Sequence, residues 1–245
     1  MIEINKLIKR YKGSDSNAVD SLNLNIQKGE FYGLLGPNGA GKTTTISMLC
    51  GLLSPTSGQI KISGLDINYH SQKAKSIIGV VPQEIALFED LTAKENLRFF
   101  AEMHGMKKSD FISCIDIYLD KFSLKDKANK RVKTFSGGMK RRLNLIAGIL
   151  HSPQILFLDE PTVGIDVQSR NVIAEFLHEI NKNGMTIIYT SHMMEEAEKL
   201  CSHISIIDFG KEIANGKPAE IIQKNENCNN LEDIFLSLTG RRVRE

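Results

Sequence analysis

Residues Gly36-Pro37-Asn38-Gly39-Ala40-Gly41-Lys42-Thr43 satisfy every fixed position of the pattern G-x-x-x-x-G-K-[ST]. Such a loop makes physical sense only between a buried strand and a helix N-terminus, where its backbone N–H groups converge. The flanks meet that demand. Phe31, Tyr32, Leu34 and Leu35 read as a buried strand, and Thr44 to Leu53 as a helix. Three glycines let the backbone curl into a concave nest for anionic oxygens, and the following helix adds its partial positive end. Lys42 supplies a mobile point charge for the outer phosphates, and the Thr43 hydroxyl is a candidate Mg²⁺ ligand. Gly36 to Thr43, with Thr44 beside them, form a candidate cradle for a nucleoside triphosphate. A chance glycine-rich turn would not bring this register and both flanks together.

With 31 basic and 29 acidic residues in 245, the chain carries a net charge of only +2, so no nucleic-acid footprint is advertised. Cys50, Cys114, Cys201 and Cys228 are scattered, without a C-x-x-C pair, and read as reduced packing thiols. No apolar run approaches the ~18 residues of a membrane span. Met1 to Asn5 alternates like a strand and lacks the basic and apolar regions of a signal peptide. The chain is therefore expected in the cytoplasm, with any membrane role supplied by a separate partner.

Ile2 to Arg10 and Leu22 to Ile26 alternate with period two, which predicts half-buried antiparallel strands ahead of the loop. Gln59 to Ile62 and Ile77 to Val81 are further short strands. From about 84 to 150 the pattern turns helical. Thr92-Ala93-Lys94-Glu95 is a capping box opening a helix to Met103, Ser109 to Phe122 has helical spacing, and a third helix spans Ser136 to Leu150 after a basic connector, Lys125 to Lys133. Ile155 to Asp159 is too apolar for anything but a fully buried strand. A helix from Gln168 to Asn181, a strand from Thr186 to Thr190 and a helix from Glu195 to Cys201 follow. Strands at Ile204 to Asp208 and Lys211 to Ala214, then a tail with an Asn-rich break, a short helix from Leu231 and a basic end (Arg241-Arg242-Val243-Arg244), complete the chain. Strands alternating with helices predict a parallel sheet covered on both faces.

Asp159 and Glu160 end the apolar strand, at the edge where open α/β sheets place their sites. Asp159 suits a Mg²⁺ role, and Glu160 would face the space of an attacking water.

Just before the helix that precedes this strand stands Phe135-Ser136-Gly137-Gly138-Met139. Here the chain resembles the nucleotide-binding domain of ABC transporters, whose signature is a Ser-Gly-Gly segment in this place. The resemblance extends through almost the whole chain. Tyr11 matches the aromatic that stacks on adenine, and Gln83, after Val80-Val81-Pro82, the loop glutamine that reaches Mg²⁺. Asp166 matches the loop aspartate, and His192, after Thr190-Ser191, the switch histidine. It implies a P-loop NTPase (RecA-like) α/β core with a mainly parallel sheet, an N-terminal antiparallel β subdomain and a helical subdomain inserted at about 84–150. The domain would span 1–224, with 225–245 as a tail.

The same resemblance implies a second nucleotide-binding subunit, identical or different, associated head to tail. Ser136, Gly137 and Gly138 of one subunit would close on ATP held by the other's loop. Glu160 would act as general base or water-orienting group, His192 would contact the γ-phosphate, and Lys42 and Gln83 would assist, with Mg²⁺ on Thr43, Gln83 and Asp159. A separate transmembrane permease would place the subunit on the inner face of the membrane. Ser136 to Arg142, Pro161 to Asp166 and Ser191 to Glu198 look like the subunits of bacterial drug and antibiotic-peptide exporters. Phe135 and Met139 replace the commoner Leu and Gln of the signature, and Val167 stands where Pro is frequent.

Competing readings are a soluble ABC ATPase acting on nucleic acid or ribosomes, and a regulatory module without turnover. A single motif set, a short helical insertion and near-zero charge oppose the first, and Glu160 and His192 together oppose the second. Lys140-Arg141-Arg142 read as a solvated basic face with nearby acidic partners, or as cations offsetting nucleotide charge. Leu87 and Phe88 read as a core pair or as an exposed contact for the permease. His70, His104, His151, His178 and His203 show no partner pattern.

Overall fold

The computed structural model describes residues 1–225 and 228–241. The basic end Arg242-Val243-Arg244 and part of the Asn-rich break lie outside the described residues. Strands β1 (Ile2–Lys9) and β2 (Val19–Ile26) pair antiparallel, with Ile2 opposite Ile26 and Ile4 opposite Leu24. β3 (Phe31–Leu35) runs through the glycine-rich loop into α1 (Lys42–Leu49). β4 (Ser57–Ile62) and β5 (Leu65–Asp66) return to β1 and complete a four-stranded antiparallel sheet in the order β2-β1-β4-β5.

A short helix, α2 (Ser71–Ser76), precedes β6 (Ile78–Val81). The sequence does not announce it, because Ala74 is its only buried residue and a periodic stripe never forms. α3 (Ala93–Met103) opens on the expected capping box: Glu95 N–H donates to Thr92 Oγ1 at 3.2 Å, and Thr92 N–H to Glu95 Oε2 at 2.7 Å. α4 (Lys108–Lys121) is followed by two 3₁₀ turns within the basic connector. α5 (Gly137–Ile149) starts where Ser136 Oγ accepts from Met139 N–H. Then come β7 (Ile155–Asp159), α6 (Val167–Lys182), β8 (Thr186–Ser191), α7 (Met194–Leu200), β9 (His203–Asp208), β10 (Lys211–Gly216), α8 (Pro218–Gln223) and α9 (Leu231–Thr239).

The main sheet has six strands in the order β10-β9-β3-β8-β7-β6, parallel except for the antiparallel edge strand β10. The continuous apolar run of β7 now has its reason. Leu156 and Leu158 face the core shared with α3 to α7 and α9, while Ile155 and Phe157 face the core shared with α1 and the antiparallel sheet. Side chains alternate across a strand, so a strand between two cores has no polar face to offer. The helical segment after β6 packs on the same core as the sheet, through Leu97, Phe111, Leu119 and Leu143. Helix α9 also joins that core, burying Leu231, Ile234 and Phe235. Among the described residues, no helix is long and apolar enough to cross a membrane.

Candidate functional site

The carboxyl ends of β3, β6, β7 and β8 lie side by side, and each delivers a polar segment to the same edge. The loop after β3 owes its path to close backbone packing. A Cβ at Gly41 (φ +106°) would overlap the Ala18 carbonyl oxygen, and one at Gly36 (φ +153°) would overlap that of Ile207. Only glycine meets both demands, a left-handed φ and contact with a neighbouring backbone. The resulting cleft, about 320 Å³, is lined by Ala18, Asn38, Gly39, Gly41, Lys42, Thr43, Thr44, Gln83 and Glu160. Gly36, Pro37 and Ala40 shape the loop beneath it, and Ala40 C=O accepts from Gly210 N–H at 3.0 Å.

The Lys42 side chain folds back onto its own loop. Its ammonium is buried and donates to the carbonyls of Gly36 (2.8 Å) and Pro37 (3.1 Å). It also pairs with Glu160 Oε1 at 3.1 Å. The second Glu160 oxygen lies 3.1 Å from His192 Nδ1. One carboxylate therefore bridges the residue from the loop and the residue from the end of β8. Glu160 holds φ at +48°, a conformation rare for a side chain of this kind, and its N–H donates to Thr190 O (3.2 Å) and Thr190 Oγ1 (3.1 Å). The Thr190 hydroxyl in turn donates to Asp159 Oδ1 at 2.6 Å. Sequence reading passed over Thr190 as an organiser of both acidic residues. Its only sequence signal is its place directly before Ser191-His192.

Tyr11 stands at the rim, 47% exposed, with its hydroxyl 3.2 Å from Thr44 Oγ1 and Lys9 Nζ 5.6 Å from its ring centre. Gln83 reaches the cleft from the end of β6. Burial, then the negative charge of Asp159, pushes the Cys50 thiol up to about 12, in keeping with a packing role. All four cysteines are free.

Ser136, Gly137, Gly138 and Asp166 do not line this cleft. They form a cluster of their own, where the N-terminus of α5 meets that of α6. Asp166 caps α6, accepting from Ser169 N–H at 2.8 Å and from the Ser169 hydroxyl at 2.9 Å, bonds that hold its carboxyl below the usual range. Gly138 packs against both residues, whereas Gly137 opens to free space.

Of Lys140, Arg141 and Arg142, only Lys140 meets the expected acidic partner, while the two arginines turn inward to carbonyls. Lys140 pairs with Glu89. Arg141 is 6% exposed and donates to Pro82 O at 3.1 Å, directly beneath the Gln83 segment. Arg142 Nη1 donates to Phe122 O at 2.7 Å. The opposition to the helix dipole is thus answered by carbonyl acceptors and one carboxylate. The histidines also find partners that sequence did not show. His104 stacks on His151 at 3.7 Å, nearly parallel, and His203 stacks on Tyr32 at 5.5 Å. Phe88 is 48% exposed and meets Phe99 edge to face at 4.8 Å, while Leu87 packs on the core.

Residues 19–163 match the family described as ABC transporter. The linearmycin resistance ATP-binding protein LnrL of Bacillus subtilis (strain 168) is 45% identical, over 100% of this chain and 76% of that protein. The Nod factor export ATP-binding protein I of Cupriavidus metallidurans is 42% identical, over 89% of this chain and 72% of that protein. Among solved structures, an ATP-binding subunit of an ABC transporter superposes with a TM-score of 0.88 at 27% identity, covering 98% of this chain and 99% of its own. A dimeric ATP-binding cassette in a post-hydrolysis state, bound to ADP and Pi, superposes with a TM-score of 0.81 at 26% identity, covering 89% and 98%.

Proposed function

The chain belongs to the ABC transporter family of ATP-binding subunits, and from that membership we propose how its own residues bind ATP, hydrolyse it and drive export through a membrane partner. The γ-phosphate end of ATP occupies the cleft over Gly39, Gly41, Lys42, Thr43 and Thr44, with Tyr11 stacked on the adenine. Phosphate oxygens take Lys42 from the Gly36 and Pro37 carbonyls and from Glu160, which leaves Glu160 to orient or deprotonate the attacking water. A positioned base of this kind contributes roughly 10²–10⁴-fold. His192, hydrogen-bonded to Glu160, steadies that carboxylate and faces the phosphate. Lys42 offsets charge on the transferring group.

Thr43, Asp159 and Gln83 would hold Mg²⁺, which when bound supplies positive charge to the phosphate oxygens. Their hard oxygen donors suit it. Among the described residues no group of three or more His, Cys, Asp or Glu could cage a metal, and Mg²⁺ favours one or two protein carboxylates together with phosphates and water.

The exposed Ser136–Gly137 end of α5, away from the cleft, serves a second copy or a related subunit. There Ser136, Gly137, Gly138 and Asp166 close on ATP held by the partner, so that the nucleotide completes the interface. Residues 1–224 make up the catalytic domain, with the helical segment inserted at 84–150 and 225–245 as its tail. A transmembrane permease docks near Phe88 and Phe99 and holds the subunit at the inner face of the membrane. The relative named for Nod factor export supports the outward direction.

The observation that carries this reading is Glu160 held at 3.1 Å from both Lys42 and His192. Glu160→Gln is expected to bind ATP but turn over at least about 100-fold more slowly, accumulating an ATP-bound dimer on gel filtration. Wild-type phosphate release by that variant would overturn the assignment.

A further inference from the structure

Behind the Glu160–His192 contact lies a second polar cluster. Glu196, in the first turn of α7, accepts at Oε2 from the Tyr189 hydroxyl (2.6 Å) and from Thr162 Oγ1 (2.7 Å). Thr162 and Tyr189 are closed to solvent, and their oxygens lie 3.1 Å apart. Two hydroxyls supply two protons, and both go to the carboxylate. Such charge-assisted bonds are short and strong. Oε1 of Glu196 is buried with no hydrogen-bond partner. A leucine or methionine would fill the same space without leaving an acceptor open, so packing alone does not account for a carboxylate here.

The three partners come from the segments that carry the catalytic pair. Thr162 follows Glu160 by two residues in the turn leaving β7. Tyr189 lies in β8 just before the strand delivers His192, and Glu196 follows His192 by four residues. Glu160 itself sits at φ +48°. A non-glycine residue stays in that region only where its surroundings over-determine it.

We infer that Glu196 is a positioning residue: by clamping Thr162 and Tyr189 it sets the separation and orientation of Glu160 and His192. This rests on the proposed roles of Glu160 and His192 in hydrolysis. Misplacement of reacting groups by about 1 Å costs on the order of 10²-fold.

The test is steady-state Mg²⁺-ATP hydrolysis by the full chain, with equilibrium ATP binding and thermal unfolding measured on the same variants. Glu196→Ala should lower kcat by roughly 10–100-fold while KM and ATP affinity stay near wild type. Glu196→Gln, which keeps an acceptor oxygen, should recover most of that loss. Thr162→Val with Tyr189→Phe should reproduce the Glu196→Ala defect, and adding Glu196→Ala to that pair should cost little more. The inference falls if folded Glu196→Ala retains wild-type kcat. Should that variant fail to fold, wild-type kcat in the Thr162→Val/Tyr189→Phe pair overturns it equally. It also falls if kcat, ATP affinity and thermal midpoint drop together without rescue by Gln, the pattern of a purely structural role. Glu160→Gln separates the two readings. An inactive Glu160→Gln beside an unimpaired Glu196→Ala removes only the positioning role, whereas an active Glu160→Gln removes both.

Discussion

Two adjacent glycines in the Ser136-Gly137-Gly138 segment should respond oppositely to the same added methyl group. At Gly138 an alanine Cβ would overlap Ser169 Oγ and stand 2.8 Å from Asp166 Oδ2 and 3.0 Å from Ser169 Cβ. Ser169 is buried and its hydroxyl donates to Asp166 Oδ2, so turning it away gives up that bond, while its N–H keeps the cap of α6 on Asp166 Oδ1. Overpacking of this kind costs about 1–3 kcal/mol and loss of the Ser169 hydroxyl bond about 0.5–1.5 kcal/mol. The better helix propensity of alanine returns at most ~1 kcal/mol. The net expectation for Gly138→Ala is about 2 kcal/mol of destabilisation, equivalent to roughly 4–8 °C in Tm for a chain of this size. At Gly137 an added Cβ meets nothing within 4 Å, so Gly137→Ala should be neutral or slightly stabilising. Urea titrations of Gly137→Ala, Gly138→Ala, Ser169→Ala and the Gly138→Ala/Ser169→Ala pair decide the matter. Removing the Ser169 hydroxyl should relieve the overlap, making the pair less destabilised than the sum of its single changes. Strict additivity, or equal losses at the two glycines, would refute the steric account.

The His104–His151 stack gives the fold a pH dependence. Burial lowers the pKa of both rings from the ordinary 6.5, and in His151 the neighbouring His104 lowers it further. The unfolded chain then binds protons first as pH falls, so this contribution is fully present above about 6.5 and is lost as pH drops through the folded values. Urea midpoints of wild type should decline more between pH 7.5 and 5.5 than those of His104→Leu, and parallel curves would contradict this. Phe88→Ala should leave basal ATP hydrolysis unchanged but weaken coupling to the permease, by about 5–30-fold for the loss of one exposed aromatic anchor. Transport and hydrolysis measured together in vesicles check this, and unchanged transport would remove Phe88 from the docking surface.

What lay open in the sequence were features encoded by neighbours along the chain. The glycine-rich loop, the Thr92–Glu95 capping box, the helix start near Ser136 and the apolar β7 are each specified within a few residues, and each appears where its pattern placed it. The short helices α2 and α8 escaped notice because one or two buried residues make no periodic stripe. Three adjacent cations, Lys140 to Arg142, looked like a surface because charge is usually solvated. Their acceptors, Glu89, Pro82 and Phe122, lie on other elements, which no local pattern registers.

The sequence by itself determined the glycine-rich loop between β3 and α1, the acidic pair Asp159-Glu160 and the family of the fold, since these rest on residue type and spacing. Only the tertiary structure decided that Lys42 folds back onto the Gly36 and Pro37 carbonyls, and that Glu160 joins it to His192. It alone gathered Thr162, Tyr189 and Glu196 behind them. The physical reason is distance along the chain. Lys42 and Glu160 belong to different strand-to-helix turns, and Glu160 and His192 to different strands. Their meeting depends on β3, β8 and β7 lying side by side, a register that hydrophobic packing on both faces of the sheet holds in place.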